Sequence, residues 1–144
     1  ARPWVPDIPG AALGGTSDTF FEWTSAPPRV AIVGGGYIAV ELAGVLQALG
    51  SMVTLYVRGE RLLAGFDAEL TDELQDAMRR AGCALQFGAA VEALSRDGAA
   101  VRVHAQEGIA ATHDAVLFAT GREPATHGLG LDQAGIATDA RGHV

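Results

Sequence analysis

The chain has 144 residues, 49% of them hydrophobic, which is enough for one globular domain with a buried core. Ten basic and seventeen acidic residues give a formal net charge of −7 without a basic cluster, which argues against nucleic acid as a partner. A single cysteine, Cys83, excludes an internal disulfide and a CxxC pair. No apolar segment has the length and composition of a signal peptide or a membrane span. We therefore expect a soluble, cytoplasmic protein with neither a nucleic acid nor a membrane partner.

Residues 1–28 are rich in proline. They contain five of the six prolines, at positions 3, 6, 9, 27 and 28, and show little hydrophobic periodicity. Proline fixes its own backbone angle and cannot donate a backbone hydrogen bond, so we expect an extended arm rather than a core element.

The next segment has the pattern of a strand, a helix and a second strand. The apolar run from Val30 to Val33 ends at glycine and predicts a buried strand. A second run, Met52 to Val57, completes a βαβ unit with a right-handed crossover. Between them, apolar residues recur at helical spacing until Gly50. These are Ile38, Leu42, Val45, Leu46 and Leu49.

Further elements complete a predicted α/β fold. Asp67 is placed to cap a second helix, with Glu69 in its first turn and arginines in its last. Its predicted apolar face consists of Leu70, Leu74, Ala77, Met78 and Ala81. The sequence CALQF predicts a third parallel strand, residues 91–116 predict an antiparallel meander, and residues 115–120 predict another buried strand. The fold class is therefore Rossmann-like, with a parallel sheet, helices and an antiparallel β-meander.

A glycine pattern stands between the first predicted strand and the first predicted helix. Gly34, Gly36 and Ala39 form GxGxxA, a dinucleotide-binding fingerprint in this context. Gly34 permits a sharp turn, Gly36 leaves room for a pyrophosphate, and Ala39 lets helix and strand pack closely. The phosphates would lie on the amides of a helix N-terminus. In this interpretation Gly35 is merely permitted. The alternative is a glycine-rich turn that binds nothing.

Val57 and Arg58 end the second predicted strand, where an acidic residue would bind the ribose 2′-hydroxyl of NAD. A guanidinium there can pair with a 2′-phosphate, so the chemistry favours NADPH. A solvated surface arginine is the alternative.

Three segments, VGGGYIAVELAGVLQALGS, VRGERLLAGFD and ATGREPAT, resemble the NADPH-binding domain of glutathione reductase, within the flavoprotein disulfide reductases. The resemblance covers nearly the whole chain and implies a middle domain excised from a longer parent. It implies an arm from the missing FAD domain (1–28), an NAD(P)H-binding domain (29–120) and a return segment toward the FAD domain (121–144). FAD, the CxxxxC redox pair, the dimerisation domain and the glutathione disulfide site would belong to the parent, so this fragment is expected to be non-catalytic.

The resemblance also assigns roles to individual residues. Tyr37 matches an aromatic lid that covers the flavin, and Glu41 matches a glutamate beside the nicotinamide. Gly121 and Arg122 fall where the family's chain crosses near the cofactor. The predicted cofactor-binding residues are Gly34, Gly36, Tyr37, Ile38, Ala39, Glu41, Val57, Arg58, Gly121 and Arg122. A packed aromatic and a helix-stabilising acid are the alternatives for Tyr37 and Glu41.

The chain departs from the resembling family at two places. A second arginine, six residues after the first, is common in glutathione reductases, and this chain has Ala64 there. Arg61 is a candidate replacement from another turn of the loop. The asparagine common after GRxP is Ala125 here.

The remaining candidates for chemistry are predicted to be structural. His104, His113, His127 and His143 lack metal-ligand spacing, so we expect surface histidines and no metal site. Cys83 is expected to be a buried apolar residue rather than a nucleophile.

The sequence favours the NADPH domain of a glutathione-reductase-like flavoenzyme, in which hydride passes from NADPH to flavin for disulfide reduction. One alternative keeps the fold and changes the acceptor, as in mercuric reductase, lipoamide dehydrogenase or soluble transhydrogenase. Another is a non-catalytic nucleotide-binding module.

Overall fold

The structure, a computed structural model, describes residues 1–144 as a parallel sheet with helices packed on one face and an antiparallel sheet on the other. The helices are α1 (Ser17–Glu22), α2 (Tyr37–Ala48) and α3 (Ala68–Arg80). The strands are β1 (Arg2–Pro3), β2 (Gly15–Thr16), β3 (Arg29–Val33), β4 (Met52–Val57), β5 (Ala84–Phe87), β6 (Val91–Asp97), β7 (Ala100–Ala105), β8 (Ala110–His113), β9 (Ala115–Phe118) and β10 (Arg122–Glu123). No helix is long and apolar enough to cross a bilayer.

The predicted α/β fold is confirmed. Five parallel strands form the central sheet in the order β2-β9-β3-β4-β5, and β6, β7 and β8 form the predicted antiparallel meander. Side chains alternate across β3, so that Val30 and Ile32 face the core beneath the helices while Ala31 and Val33 face the core beneath the meander. The sheet is thus buried on both faces, as the continuous apolar runs predict.

The arm differs from the predicted extended segment. Gly15 and Thr16 join the parallel sheet as its edge strand beside β9. Thr16 then caps α1, with its Oγ1 accepting a hydrogen bond from the amide of Asp18 at 3.3 Å. Phe20 and Trp23 pack against the core. Residues 10–26 contain no proline, and this part of the arm forms the edge strand and the helix.

The predicted apolar face of α2 was partly wrong. Val45 and Leu49 are 47% and 65% exposed, whereas the buried face consists of Ala39, Leu42, Ala43 and Leu46. The small alanines allow α2 to approach the sheet closely, which rotates the helix away from the larger residues.

The predicted apolar face of α3 was wrong at three of its five residues, because Leu70, Ala77 and Ala81 are exposed. Leu70 is 69% exposed, whereas Thr71 and Gln75 are buried. Their polar groups are satisfied: Thr71 Oγ1 donates to the Ala68 carbonyl at 3.0 Å, and Gln75 Oε1 accepts from the Leu62 amide at 3.0 Å. Asp67 caps α3 as predicted, because its carboxylate accepts from the amide of Glu69 at 2.9 Å.

The first strand of the chain pairs with the last. Strands β1 and β10 form an antiparallel pair, and Arg2 Nε lies 2.6 Å from Glu123 Oε1. The division into arm, binding domain and return segment stays a prediction.

One histidine departs from the expected surface location. His113 is buried, and its Nε2 lies 3.0 Å from the Tyr56 hydroxyl. Burial, together with the nearby Arg29 guanidinium, lowers the pKa of His113, although Asp114 opposes the shift. Burial also raises the pKa of Tyr56. The pair is therefore neutral near pH 7, and it joins β4 to β8.

We expect the free energy of unfolding to decrease as the pH falls below 6.5, the ordinary pKa of histidine. The unfolded chain binds a proton at His113 that the folded chain resists, so stability is present above that pH. Below that pH, the free energy of unfolding decreases by up to about 1.4 kcal/mol per pH unit. Urea denaturation of the wild type and of His113→Gln between about pH 5 and pH 7.5 measures this difference.

The matched control is His127→Gln, which changes an exposed histidine. It should keep the wild-type pH dependence, whereas His113→Gln should flatten it. The same slope in all three proteins would show that His113 is not responsible.

Candidate functional site

A cleft of about 650 Å³ lies at the carboxyl ends of β3, β4 and β9. In open parallel sheets, ligands bind at this edge, where the loops that follow neighbouring strands diverge. The lining residues are Trp4, Pro6, Val33, Gly34, Gly35, Gly36, Tyr37, Tyr56, Val57, Arg58, Gly59, Arg61, Leu63, Ala64, Gly65, Phe66, Ala89, Ala90, Val91, Ala119, Thr120 and Gly121. The glycine turn and the loop after β4 therefore share one cavity.

Gly34 forms the turn that ends β3. Its φ is +138°, and a Cβ there would lie 2.3 Å from the carbonyl oxygen of Ala119. Its amide donates to the Tyr56 carbonyl at 2.9 Å, while the Ala119 amide donates to the Val33 carbonyl at 2.8 Å. Only glycine allows the turn to lie this close to both neighbouring strands.

Gly36 has a different environment. Its φ is −85°, which any residue adopts, and a Cβ would meet no protein atom within 4 Å. No protein atom occupies the space that this glycine leaves open, and Gly36 lines the cleft. This is the arrangement expected if a ligand approaches the backbone here.

The N-terminus of α2 lacks the features that stabilise the other helix starts. No side chain caps it, and its first turn contains no acidic residue. By contrast, α3 begins with the Asp67 cap and has Glu69 in its first turn. The first amides of α2 have no intrahelical acceptor, and together with the helix dipole they favour an anion at this end of the cleft.

Gly35 was wrongly interpreted as merely permitted. A Cβ at Gly35 would lie 2.7 Å from Cγ1 of Val57. Its carbonyl also accepts a hydrogen bond from the Leu63 amide at 2.8 Å. The middle glycine therefore lets the turn contact both the end of β4 and the loop that follows it.

Six of the predicted cofactor-binding residues come together in the cleft: Gly34, Gly36, Tyr37, Val57, Arg58 and Gly121. Tyr37 is 59% exposed at the rim. Arg58 is also exposed, and none of the ion pairs in the structure involves it. The cleft thus contains an unpaired cation and an uncapped helix N-terminus.

The other four do not line the cleft. Ala39 is fully buried in the core beneath α2, and Ile38 packs against that core. Glu41 is exposed on α2 outside the cleft lining. Arg122 points elsewhere, since its Nη2 donates to the Ala1 carbonyl at 2.7 Å.

Sequence reasoning missed the contribution of the arm. Trp4 lines the cleft, its amide donates to the Gly121 carbonyl at 2.9 Å, and its carbonyl accepts from Thr120 Oγ1 at 2.7 Å. Ala89, after β5, also lines the cleft and donates to the Val57 carbonyl at 3.0 Å. These contacts join residues far apart in the sequence, so no local pattern could predict them.

The sequence profile of the pyridine nucleotide-disulphide oxidoreductase family matches residues 1–144, the whole chain. The chain belongs to this family.

Relatives with this architecture are longer proteins. The chain is 44% identical over 144 residues to glutathione reductase of Burkholderia cepacia, covering all of this chain and 32% of that protein. It is 42% identical over 146 residues to glutathione reductase of Schizosaccharomyces pombe, covering 98% of this chain and 31% of the relative. The chain thus spans about a third of the length of these relatives.

Solved structures agree with the family. The HOCl-induced flavoprotein disulfide reductase RclA from Escherichia coli has a TM-score of 0.90 and 34% identity, covering 99% of this chain and 33% of RclA. An engineered water-forming NADPH oxidase bound to NADPH has a TM-score of 0.83 and 26% identity, covering 97% of this chain and 32% of the oxidase. Both similarities cover nearly all of this chain.

Two matched substitutions separate the roles of the glycines. Gly34→Ala should destabilise the fold by at least about 1 to 3 kcal/mol, because it combines a positive φ with a clash against Ala119. Gly36→Ala should stay within about 0.5 kcal/mol of the wild-type free energy of unfolding, because no protein atom is displaced. It should nevertheless lose nucleotide binding, since the added methyl group would occupy space that we assign to the ligand.

Urea denaturation and nucleotide titration measure the two effects. Normal nucleotide affinity in Gly36→Ala would contradict the assignment of this open space to a ligand.

Proposed function

We propose that this chain is the NADPH-binding domain of a FAD-dependent, glutathione-disulfide-reductase-like oxidoreductase. The observation that carries the proposal is the unpaired Arg58 at the end of β4, in the same cleft as the uncapped N-terminus of α2. The helix amides suit a pyrophosphate, and the guanidinium suits a 2′-phosphate on the adenosine ribose.

Residues at the end of β4 support NADPH rather than NADH. An acidic residue there would accept the ribose 2′-hydroxyl of NADH and repel a 2′-phosphate. Val57 is apolar and 3% exposed, so this strand end has no such acid. Arg58 is therefore free of the carboxylate that would compete with a phosphate for its guanidinium.

The engineered NADPH oxidase gives independent support. Its substitutions include glycine to alanine, aspartate to alanine, alanine to arginine and proline to arginine. In this chain Ala39, Val57, Arg58 and Ala64 stand at the same mutual spacing as those four replaced residues. The chain has the new alanine and the first new arginine, and it lacks the acid. It differs in having Val57 where the oxidase has its other new alanine, Gly59 where the oxidase has a new serine, and Ala64 in place of the second arginine.

NADPH would supply a hydride at its nicotinamide ring, for transfer to the FAD of the parent and then for reduction of a disulfide. This chain's own residues bind and orient the dinucleotide. The α2 amides and Arg58 hold its phosphates, and Gly34 and Gly121 let the backbone of two neighbouring strands approach it. Tyr37, exposed at the rim of the cleft, would be the aromatic lid over the flavin of the parent. Glutathione disulfide as the substrate rests on the relatives, which are glutathione reductases.

Replacing Arg58 tests the proposal. Arg58→Ala should weaken NADPH binding and leave NADH binding unchanged, because only NADPH carries the 2′-phosphate. The expected loss of NADPH binding free energy is about 0.2 to 1 kcal/mol if Arg58 makes an exposed ion pair with the phosphate. It is about 1.5 to 3 kcal/mol if Arg58 makes a charge-assisted hydrogen bond. Ala64→Arg should strengthen NADPH binding selectively. Calorimetric titration of both cofactors measures the effects, and equal losses for the two cofactors in Arg58→Ala would refute the assignment.

The chain itself is expected to bind NADPH without flavin. With Cys83 as its one cysteine, it has no CxxxxC pair to accept electrons from a flavin. The purified 144-residue chain should show no flavin absorbance and should not oxidise NADPH when glutathione disulfide is added. Bound flavin or such oxidation would show that the fragment holds more of the reaction than we propose.

A further inference from the structure

A second arginine lies in the cleft beside Arg58. Arg61 lines the same cavity, on the loop that follows β4, and its side chain is 36% exposed. Its Nη2 lies 2.8 Å from Oδ1 of Asp72 on α3. The guanidinium has five N–H donors, and this single contact leaves the others available to a ligand.

A buried glutamine fixes the position of this ion pair. Gln75 is 6% exposed, and its Nε2 donates to Oδ1 of Asp72 at 3.1 Å. Its Oε1 accepts from the amide of Leu62, the residue next to Arg61, at 3.0 Å. Gln75 therefore holds both the backbone beside Arg61 and the carboxylate that contacts its side chain.

The loop is also attached to the glycine turn. Leu62 is fully buried, and the Leu63 amide donates to the Gly35 carbonyl at 2.8 Å. Leu63 has a φ of +48°, an uncommon conformation for a residue with a side chain. These contacts on both sides hold Arg61 at the cleft without requiring the ligand to order it.

We infer that Arg61 is a second cation for the 2′-phosphate of NADPH, and that Asp72 and Gln75 are its positioning residues. The inference rests on the proposed function and adds a specificity-determining residue to it. Arg61 lies in the middle of the loop after β4. It supplies the positive charge that is missing because Ala64 stands in place of the second arginine. Because the Asp72 side chain is 59% exposed, solvent weakens its electrostatic attraction to Arg61. A phosphate with two negative charges can therefore compete for the remaining N–H donors of Arg61.

Location distinguishes Arg61 from other paired arginines. Arg80 on α3 makes an ion pair of similar length, with its Nη2 2.7 Å from Glu73 Oε1. However, Arg80 does not line the cleft. An ion pair alone therefore does not indicate a ligand. Arg80 provides a matched control, because its replacement also removes one positive charge and one ion pair.

The test is calorimetric titration of NADPH and NADH against the wild type, Arg61→Gln, Arg61→Lys and Arg80→Gln. Arg61→Gln should weaken NADPH binding about five- to tenfold, between the effects of an exposed ion pair and a charge-assisted hydrogen bond, and should leave NADH binding unchanged. Arg61→Lys should recover part of the loss, since it keeps the charge but not the forked geometry. Arg80→Gln should match the wild type for both cofactors.

The salt dependence gives a readout that a structural role would not change. If Arg61 contacts a phosphate, NADPH affinity should depend less steeply on salt concentration in Arg61→Gln than in the wild type. A change confined to packing should leave this slope unchanged.

The outcomes separate this inference from the proposed function. One outcome is that Arg58→Ala loses affinity for NADPH but not for NADH, while Arg61→Gln and Arg80→Gln have the same affinities for both cofactors. The role of Arg61 is then refuted and the proposed function stands. If the wild type binds neither cofactor, both are refuted. Equal weakening of NADPH and NADH in Arg61→Gln would assign Arg61 to the structure of the loop and overturn the inference.

Asp72→Asn tests the positioning role. The amide oxygen can still accept from Arg61 and Gln75, but the negative charge is removed. NADPH binding should therefore strengthen about two- to fivefold, the range of an exposed ion pair, with NADH binding unchanged. A loss of affinity for both cofactors would show that Asp72 only supports the fold and would overturn its assigned role.

Discussion

The close contact between Gly34 and the carbonyl of Ala119 is the constraint on which the cleft depends. It brings the end of β3 against the end of β9, and the turn that follows starts α2 without a capping side chain. A side chain at Gly34 would push the turn away from β9 and move the helix amides out of the cleft. The proposed anion site thus depends on one backbone approach that only glycine permits.

The middle glycine extends the same constraint to the next loop. Because Gly35 has no side chain, the turn packs directly on Val57 and accepts a hydrogen bond from Leu63. The turn that starts α2 and the arginine-bearing loop are consequently joined by direct contacts. In the proposed function, a protein with a net charge of −7 would bind a multiply charged anion locally, because backbone amides and two arginines line one cavity.

The parts of the structure that sequence predicted are those encoded by neighbouring residues. The βαβ unit follows from apolar runs separated by a glycine turn, and the start of α3 follows from Asp67 and Glu69, whose contacts are within three residues. The role of Arg58 as a cleft residue follows from its place at the end of a strand. Each of these depends on spacing along the chain, which is visible without coordinates.

The parts that sequence missed depend on contacts between distant segments. Residues 15 and 16 join the sheet because β9 offers an open edge, and no local pattern marks so short a strand. Trp4 reaches the cleft through hydrogen bonds to residues 120 and 121. His113 is buried and lies within hydrogen-bond distance of the Tyr56 hydroxyl on another strand, and metal-ligand spacing could not predict this contact. The position of Arg61 depends on Asp72 and Gln75, which are placed only when α3 packs on the loop.

The central claim is that the glycine turn and the loop after β4 bind one NADPH molecule together. The most direct measurement is a nuclear magnetic resonance titration of the ¹⁵N-labelled chain with NADPH. The account predicts that the largest changes in amide chemical shift occur in residues 34–39 and 58–66 at the same NADPH concentrations. Changes confined to the antiparallel sheet or to residues 122–144, or changes in only one of the two segments, would contradict it.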